Sequence, residues 1–351
     1  MKLAKILLSP FALLFFLILK TRNFLYDKAF FGVTRFDIPV ISVGNLSFGG
    51  TGKTPHIEYL VKLLWDQNPA VLSRGYRRKT SGYLFANPDT PATQIGDEPR
   101  QIKSRFPNLP LAVSENRVLG IPNLLFDAPE TGVVLLDDGF QHRPVKPGLN
   151  ILLTEYRLLF TRDFLAPMGT LREYKSAYKR ADLIVVSKCP ENLSLDERKT
   201  IIREINPLPH QKVFFSHLRY GQIYHWLDLS PLKKSTPVFF AGIANTSSIE
   251  NYLSNHFKSY KIRKFKDHHL FSFDELRILQ DEIKSLGDDA FLLTTEKDLS
   301  KLLLPEYRDL LINTPLYVLP VEVEFNPEDA ILFNQTVKTY VDQTKPSYRI
   351  P

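Results

Sequence analysis

Ile38-Pro-Val-Ile-Ser-Val43 runs directly into Gly44-Asn-Leu-Ser-Phe-Gly-Gly-Thr-Gly-Lys-Thr54, and Ile57, Leu60, Val61 and Leu64 follow at helical spacing. The continuous apolar run suits a strand buried on both faces. The next segment matches the phosphate-loop pattern Gly-x-x-x-x-Gly-Lys-Thr, with Ser47 in place of the first glycine. Strand, glycine-rich turn and helix in this order predict a loop that cradles phosphate. Gly49, Gly50 and Gly52 let backbone amides turn inward, and the helix N-terminus adds its positive end. Together with Ser47, Phe48 and Thr51 they form the expected ATP-binding segment. Lys53 is expected to reach the β- and γ-phosphates, and the Thr54 hydroxyl to ligate Mg²⁺.

Such a loop needs an acid at the end of a neighbouring strand. Val133-Val-Leu-Leu-Asp-Asp138 supplies two, and either Asp137 or Asp138 is a candidate metal ligand. Further short apolar runs at 70–73, 151–154, 183–187, 238–241 and 290–294 alternate with helical patterns. This is an α/β chain with a mainly parallel sheet. Ser247-Ser-Ile-Glu250 and Ser272-Phe-Asp-Glu275 fit capping boxes that open helices. Asn206-Pro-Leu-Pro209 breaks the pattern, and strands restart at Val238. The expected division is a helix in 1–35, a phosphate-loop lobe in 36–212, a linker in 213–236, a smaller α/β lobe in 237–315, and a return strand with a C-terminal helix in 316–351. The strand-like residues 316–325 are expected to pair with 213–226 as a two-stranded connector.

The chain has 351 residues, 44% hydrophobic and 24% charged, which excludes a disordered or low-complexity protein. Its single cysteine, Cys189, excludes an intrachain disulfide and a cysteine-cluster zinc site. The net charge of +7 is concentrated at the front, where Lys2, Lys5, Lys20, Arg22, Lys28 and Arg35 face one acid, Asp27. Between Lys5 and Lys20 lies ILLSPFALLFFLIL, without charge. As a helix it is about 21 Å long, short against the roughly 20 residues that span a bilayer core. An N-terminal membrane anchor is expected, inserted in one leaflet or crossing with snorkelling flanks. No nucleic-acid reader motif is visible, and Asn-Lys-x-Asp, which reads guanine, is absent, so ATP is favoured over GTP.

Other polar clusters follow candidate strands: Ser73-Arg-Gly-Tyr76, Gly96-Asp-Glu-Pro99, Glu115-Asn-Arg117, Asp138-Gly-Phe-Gln-His142, Leu171-Arg-Glu173 and Asp267-His268. Ligands bind beyond the carboxyl ends of strands in such sheets, so these groups are expected to line one cleft. Glu98 and Glu173 are candidate metal or water ligands, and Arg117 and Arg172 candidates to neutralise phosphate charge. The basic strip Lys258, Lys261, Arg263, Lys264 and Lys266 reads equally as a solvated strand edge or as a site that attracts a substrate phosphate or anionic lipid.

Taken with Gly242-Ile-Ala-Asn245 and Thr295-Glu-Lys-Asp298, these motifs resemble the tetraacyldisaccharide 4′-kinase family, the lipid A 4′-kinases. The departures are Arg77 and Thr246, where the family commonly carries Gly and Pro. The resemblance implies two α/β lobes joined by a two-stranded hinge. It also implies transfer of the ATP γ-phosphoryl group to the 4′-hydroxyl of an acylated glucosamine disaccharide 1-phosphate, giving lipid IVA. The expected setting is the cytoplasmic face of the inner membrane of a Gram-negative bacterium, with the protein a monomer. The resemblance points to Asp97 as the base, with His268 from the second lobe as its partner, and to Gln141, His142 and Glu173 beside Arg117 and Arg172 at the substrate. The rival reading is a membrane-tethered P-loop ATPase or GTPase switch, which needs the loop, the metal acid and the anchor but no second-lobe histidine.

Overall fold

The computed structural model describes residues 2–242, 246–266 and 269–344, apart from the side chains of 2–9, 247 and 305. Fourteen strands form two sheets among these residues. The strands are β1 (Val40–Asn45), β2 (Pro69–Ser73), β3 (Leu84–Phe85), β4 (Leu111–Val113), β5 (Val133–Asp137), β6 (Leu149–Glu155), β7 (Leu183–Ser187) and β8 (Lys212–Tyr220), then β9 (Tyr224–His225), β10 (Thr236–Ala241), β11 (Lys261–Lys264), β12 (Ala290–Thr295), β13 (Leu316–Leu319) and β14 (Val321–Phe325). The helices are α1 (Lys2–Asp27), α2 (Lys53–Leu63), α3 (Ala92–Ile95), α4 (Asp97–Arg105), α5 (Arg117–Asp127), α6 (Leu195–Ile205), α7 (Ser247–His256), α8 (Phe273–Leu286), α9 (Glu296–Leu302), α10 (Arg308–Ile312) and α11 (Pro327–Thr344).

The large sheet runs β14-β8-β7-β6-β1-β5-β2-β4-β3. From β8 to β4 every pairing is parallel, and an antiparallel strand closes each edge. Its central strands are wholly buried because helices cover both faces. Ile41 and Val43 of β1 pack with Ile57, Leu60 and Val61 of α2 on one face. Val40 lies in the opposite layer with Ile121 and Leu124 of α5. The Tyr340 hydroxyl of α11 donates to the Val40 carbonyl and accepts its N–H, tying the C-terminal helix to the strand that leads into the phosphate loop.

The small sheet runs β11-β10-β12-β13-β9, parallel except for the β13–β9 pair. Its two core layers lie under α8, with Phe240, Leu276 and Leu279, and under α7, with Phe239, Ile249 and Leu253. The chain passes between the sheets at Gly221 and returns at Pro320, where the Gly221 N–H donates to the Pro320 carbonyl at 3.0 Å. On the large-lobe side of that crossing β8 and β14 pair from Val321↔Tyr220 to Phe325↔Ser216.

Ser272 and Glu275 form the expected capping box of α8, and Ser194 with Glu197 forms another on α6. At α7 the box expected at Ser247–Glu250 rests on a Ser247 side chain that lies outside the described residues. Ser247 is already the first helical residue, and the Glu250 carboxylate is taken by the Thr246 hydroxyl and by Lys264. The basic strip falls on the edge strand β11. There Lys261 and Arg263 pair with Glu282, and Lys264 with Glu250, so three of its charges are neutralised within the lobe.

Helix α1 rests on the large lobe through Ala12, Leu19 and Asn23, with Phe16 edge-on to Tyr174. Its other faces leave Phe11, Leu13, Leu14, Leu17 and Ile18 exposed. Among the described residues no helix is long and apolar enough to cross a membrane.

Candidate active site

The phosphate loop leaves β1 and opens α2. Gly52 sits at the N-cap with φ +86, a backbone conformation that L side chains rarely adopt, and provides no side chain to cap the first turn. The loop is held from behind. The Asn45 amide donates to the Thr51 hydroxyl at 2.9 Å, and the Ser187 hydroxyl donates to the Thr51 carbonyl at 2.8 Å. His56 is buried, with Nδ1 2.7 Å from the Gly52 carbonyl and Nε2 3.0 Å from the Ser216 hydroxyl. Burial lowers its pKa to about 4, so the ring is neutral near pH 7. Segment 46–48 is pinned to 170–172, where the Phe48 N–H donates to Thr170 and the Arg172 N–H to Leu46. Phe48 itself is exposed.

Strand β5 lies beside β1 and carries the paired acids to the loop. The close approach needs a glycine: a Cβ on Gly44 would stand 2.6 Å from Phe140 Cβ. Adjacent as they are, the two acids have opposite environments. Asp137 is buried and accepts from the Ser73 hydroxyl at 2.9 Å. Burial first, then the charge of Asp138, pushes it up to about 6, and Glu98 adds to the rise. Asp138, at φ 53, stands 3.8 Å from Lys53 Nζ and is gripped by both terminal nitrogens of Arg172. Burial would raise its pKa, but Lys53 and Arg172 outweigh burial and hold it down at about 2.

Arg117 is buried at the start of α5, and burial lowers it to about 10. The Arg117 backbone N–H donates to His142 Nε2 at 3.3 Å. Burial, followed by Arg117, Arg22 and Arg74, lowers the His142 pKa to about 4, so that ring too is neutral. The Gln141 amide donates to the Asn45 carbonyl at 2.7 Å, and Arg22 of α1 donates to the Gln141 carbonyl at 2.8 Å. Lys53, Asp137, Asp138, Arg117, Gln141, His142 and Arg172 therefore share one region at the strand ends.

The chemistry of these groups fits a divalent cation. Asp137 Oδ1 is buried and lacks a hydrogen-bond partner among the described residues, beside the Asp138 carboxylate and the loop that carries Thr54. Arg117 Nε and Arg172 Nε are likewise buried without partners, as phosphate-facing guanidiniums would be.

Glu173 lies elsewhere than expected. It is fully buried, with both oxygens taken by Arg180 at 2.8 Å and one also by Asn23 of α1 at 2.9 Å. It anchors α1 and, being fully buried, faces Arg180 and Asn23. Lys188 pairs with Glu155 at 3.2 Å. Asp97 opens α4, with Oδ2 3.9 Å from Lys301 Nζ of the small lobe. Its expected partner, His268, lies outside the described residues, as do Asp267 and residues 243–245. Asn45 and Ser73 stand inside stretches that the sequence singles out, but nothing there assigns either a role. Their one signal was position at the ends of apolar runs that lead into the two motifs.

The model of the tetraacyldisaccharide-1-P 4′-kinase family matches residues 4–339. The chain belongs to this family. Among curated relatives, the tetraacyldisaccharide 4′-kinase of Bacteroides thetaiotaomicron is 40% identical over 95% of this chain and 92% of its own length. That of Flavobacterium johnsoniae is 41% identical over 93% and 94%. Among solved structures, LpxK from Aquifex aeolicus, crystallised in complex with ATP, is 28% identical. It superposes with a TM-score of 0.75, covering 98% of this chain and all of that one.

Proposed function

We propose that the protein transfers the γ-phosphoryl group of ATP to the 4′-hydroxyl of a tetraacyldisaccharide 1-phosphate, the step of lipid A biosynthesis that yields lipid IVA. The observation that carries this reading is the meeting of Lys53 with Asp137, Asp138, Arg117 and Arg172 at the mouth of the phosphate loop. Loop amides of 49–54 cradle the triphosphate and Lys53 bridges its distal phosphates. Thr54, Asp137 and Asp138, with Glu98, would hold Mg²⁺, which would neutralise phosphate charge. Arg117 and Arg172 face the charge that develops on the transferred group. Gln141 and His142 contact the sugar. Neutral His142 acts there as a hydrogen-bonding group, since it stays uncharged near pH 7.

Asp97 takes the proton of the attacking hydroxyl, with His268 as its partner. The acid and the histidine belong to different lobes, so the two strands that cross between the sheets act as a hinge. Closure would then complete the base and exclude water. Helix α1 lies in the membrane surface in one leaflet. Its outward face is apolar where a soluble protein would be polar, and Lys20, Arg22 and Lys28 flank it. Arg22 also touches Gln141, so the helix that meets lipid abuts the cleft that meets the headgroup. In this reading the protein works as a monomer on the cytoplasmic face of the inner membrane, where ATP is available.

The test mixes protein, γ-labelled ATP, Mg²⁺ and acyl disaccharide phosphate and separates products by thin-layer chromatography. A labelled lipid is expected. Labelled inorganic phosphate alone would replace the kinase with a nucleotide-hydrolysing switch.

A further inference from the structure

The small lobe meets the large one through the packing of α9 on α4. Asp97 opens α4 and Arg105 closes it; Glu296 opens α9 and Lys301 lies near its end. The charges are cross-matched. Asp97 faces Lys301 at 3.9 Å and Arg105 faces Glu296 at 3.3 Å. That arrangement fits only an antiparallel pair in one register.

Both ends are built into buried networks. Lys301 is almost wholly buried and donates to Asp298 at 2.7 Å. Asp298, fully buried, also accepts from the Thr295 hydroxyl and the Gly242 N–H, each at 3.0 Å. Arg105 gathers three carboxylates from three parts of the molecule. They are Glu58 of α2 at 2.8 Å, Glu296 of α9, and Glu322 of the returning strand β14. Helix α2 is the one that begins with Lys53 and Thr54. One guanidinium thus connects the phosphate-loop helix, the small lobe and the crossing strand. Exposed ion pairs are weak, but buried charges demand a partner and so penalise every other register.

We propose that α4 and α9 form a charge-keyed clamp between the lobes, in which Lys301 and Arg105 are positioning residues that set the register at which the small lobe meets Asp97. The inference rests on the reading of Asp97 as the base. It assigns a task to Lys301, three residues past the Thr295–Asp298 motif. The clamp makes no contact with ATP, whose cradle is in the large lobe. Its loss therefore lowers turnover and spares nucleotide affinity.

The experiment uses the full chain with labelled ATP and the acyl disaccharide phosphate in detergent micelles. Lys301→Met keeps the stem and removes the charge. Misplacing a reacting group by about 1 Å costs up to about 100-fold, so kcat is expected to fall about 10- to 100-fold. KM for ATP and directly measured ATP affinity should stay within about twofold. Glu296→Gln, which leaves Arg105 two carboxylates, should act in the same direction with a smaller effect. Lys301→Met in an Asp97→Asn background should add little to the loss from Asp97→Asn, because the residue acts through Asp97. Should Lys301→Met not fold, Lys301→Met with Asp298→Asn removes both buried charges together and is held to the same expectation. Unchanged kcat, or a fall in ATP affinity and melting temperature that accounts for the lost turnover, overturns the clamp. Full activity in Asp97→Asn would remove the base assignment itself. An inactive Asp97→Asn beside a fully active Lys301→Met would remove the clamp alone.

Discussion

On the large-lobe side of the cleft, Asp137 Oδ1, Arg117 Nε, Arg172 Nε and Gln141 Oε1 are buried without partners among the described residues. On the small-lobe side, Asp298 has a partner on each oxygen, and Lys301 is held between Asp298 and Asp97. Native interiors seldom leave polar atoms unpaired, so the first pattern marks places where a ligand completes the bonding. The second marks a scaffold that is complete by itself. On the proposed function, one side of the cleft receives phosphate and metal, and the other arrives in a fixed alignment.

The largest effect expected from this contrast is at the phosphate loop. Lys53→Ala removes the ammonium near Asp138 and should lower kcat by about 100- to 1,000-fold or more, with the fold intact by circular dichroism. Thr54→Ala should do the same by removing a metal-ligating hydroxyl. Near-wild-type turnover in either variant would mean that the unpaired groups around Asp137 serve something other than phosphoryl transfer.

The charged network at Arg105, which joins the lobes, should lose stability as well as turnover. Arg105→Leu strands Glu58, which is buried and whose pKa is already raised by burial and by Glu296. Breaking a buried pair from one side costs about 3–5 kcal/mol. Chemical denaturation should show a loss of that size, whereas Lys53→Ala should cost less than about 1 kcal/mol. Equal losses in the two variants would erase the distinction between the two sides.

How much of this was legible in the sequence follows the same division. The parallel strands could be read because each is a short apolar run buried on both faces, as at 133–136 and 183–187. The phosphate loop and the paired acids could be read because each motif is contiguous. Glu173 was misplaced because it adjoins Arg172. In the bend at 172–173, Arg172 faces Asp138 while Glu173 turns inward to Arg180 and Asn23. The clamp was not legible at all. Arg105 meets Glu296 and Glu322, residues 191 and 217 positions away, and only the tertiary fold brings them together. At α7 the tertiary fold adds what no local pattern shows: Lys264 of β11 pairs with Glu250.

A third prediction uses the neutral His56 behind the loop. Its folded pKa of about 4 lies below the ordinary 6.5, so between these values the unfolded chain binds more protons. Its contribution is fully present above about pH 6.5 and is lost as pH falls toward 4, by roughly 3 kcal/mol at most. Asp137, raised to about 6, acts in the opposite direction, with stability falling as pH rises toward that value. The difference between wild type and His56→Gln isolates the histidine. Unfolding free energies measured at pH 7.5 and 4.5 should diverge by less in the variant. An identical pH dependence in both proteins would show that His56 titrates normally in the folded state.

The smallest effect compares the lobes at equivalent features. Ser194 caps α6 in the large lobe and Ser272 caps α8 in the small one, each with a reciprocal glutamate, Glu197 or Glu275. Both boxes face solvent, so the lost hydrogen bond is replaced by water and the cost of either Ser→Ala change should be about 1 kcal/mol. The consequences for catalysis need not match. In the small lobe Glu275 also contacts His269 Nε2 at 3.0 Å, and the His269 backbone N–H donates to the Lys266 carbonyl, so the box is tied to the two described residues that flank 267–268 in sequence. Ser194 has no such link to the cleft. Equal losses in denaturant midpoint are therefore expected from the two changes, with a fall in kcat of a few-fold only in Ser272→Ala. Equal kcat values in the two variants would mean that the small lobe keeps its alignment without the cap, and that the burden of alignment rests on α4 and α9.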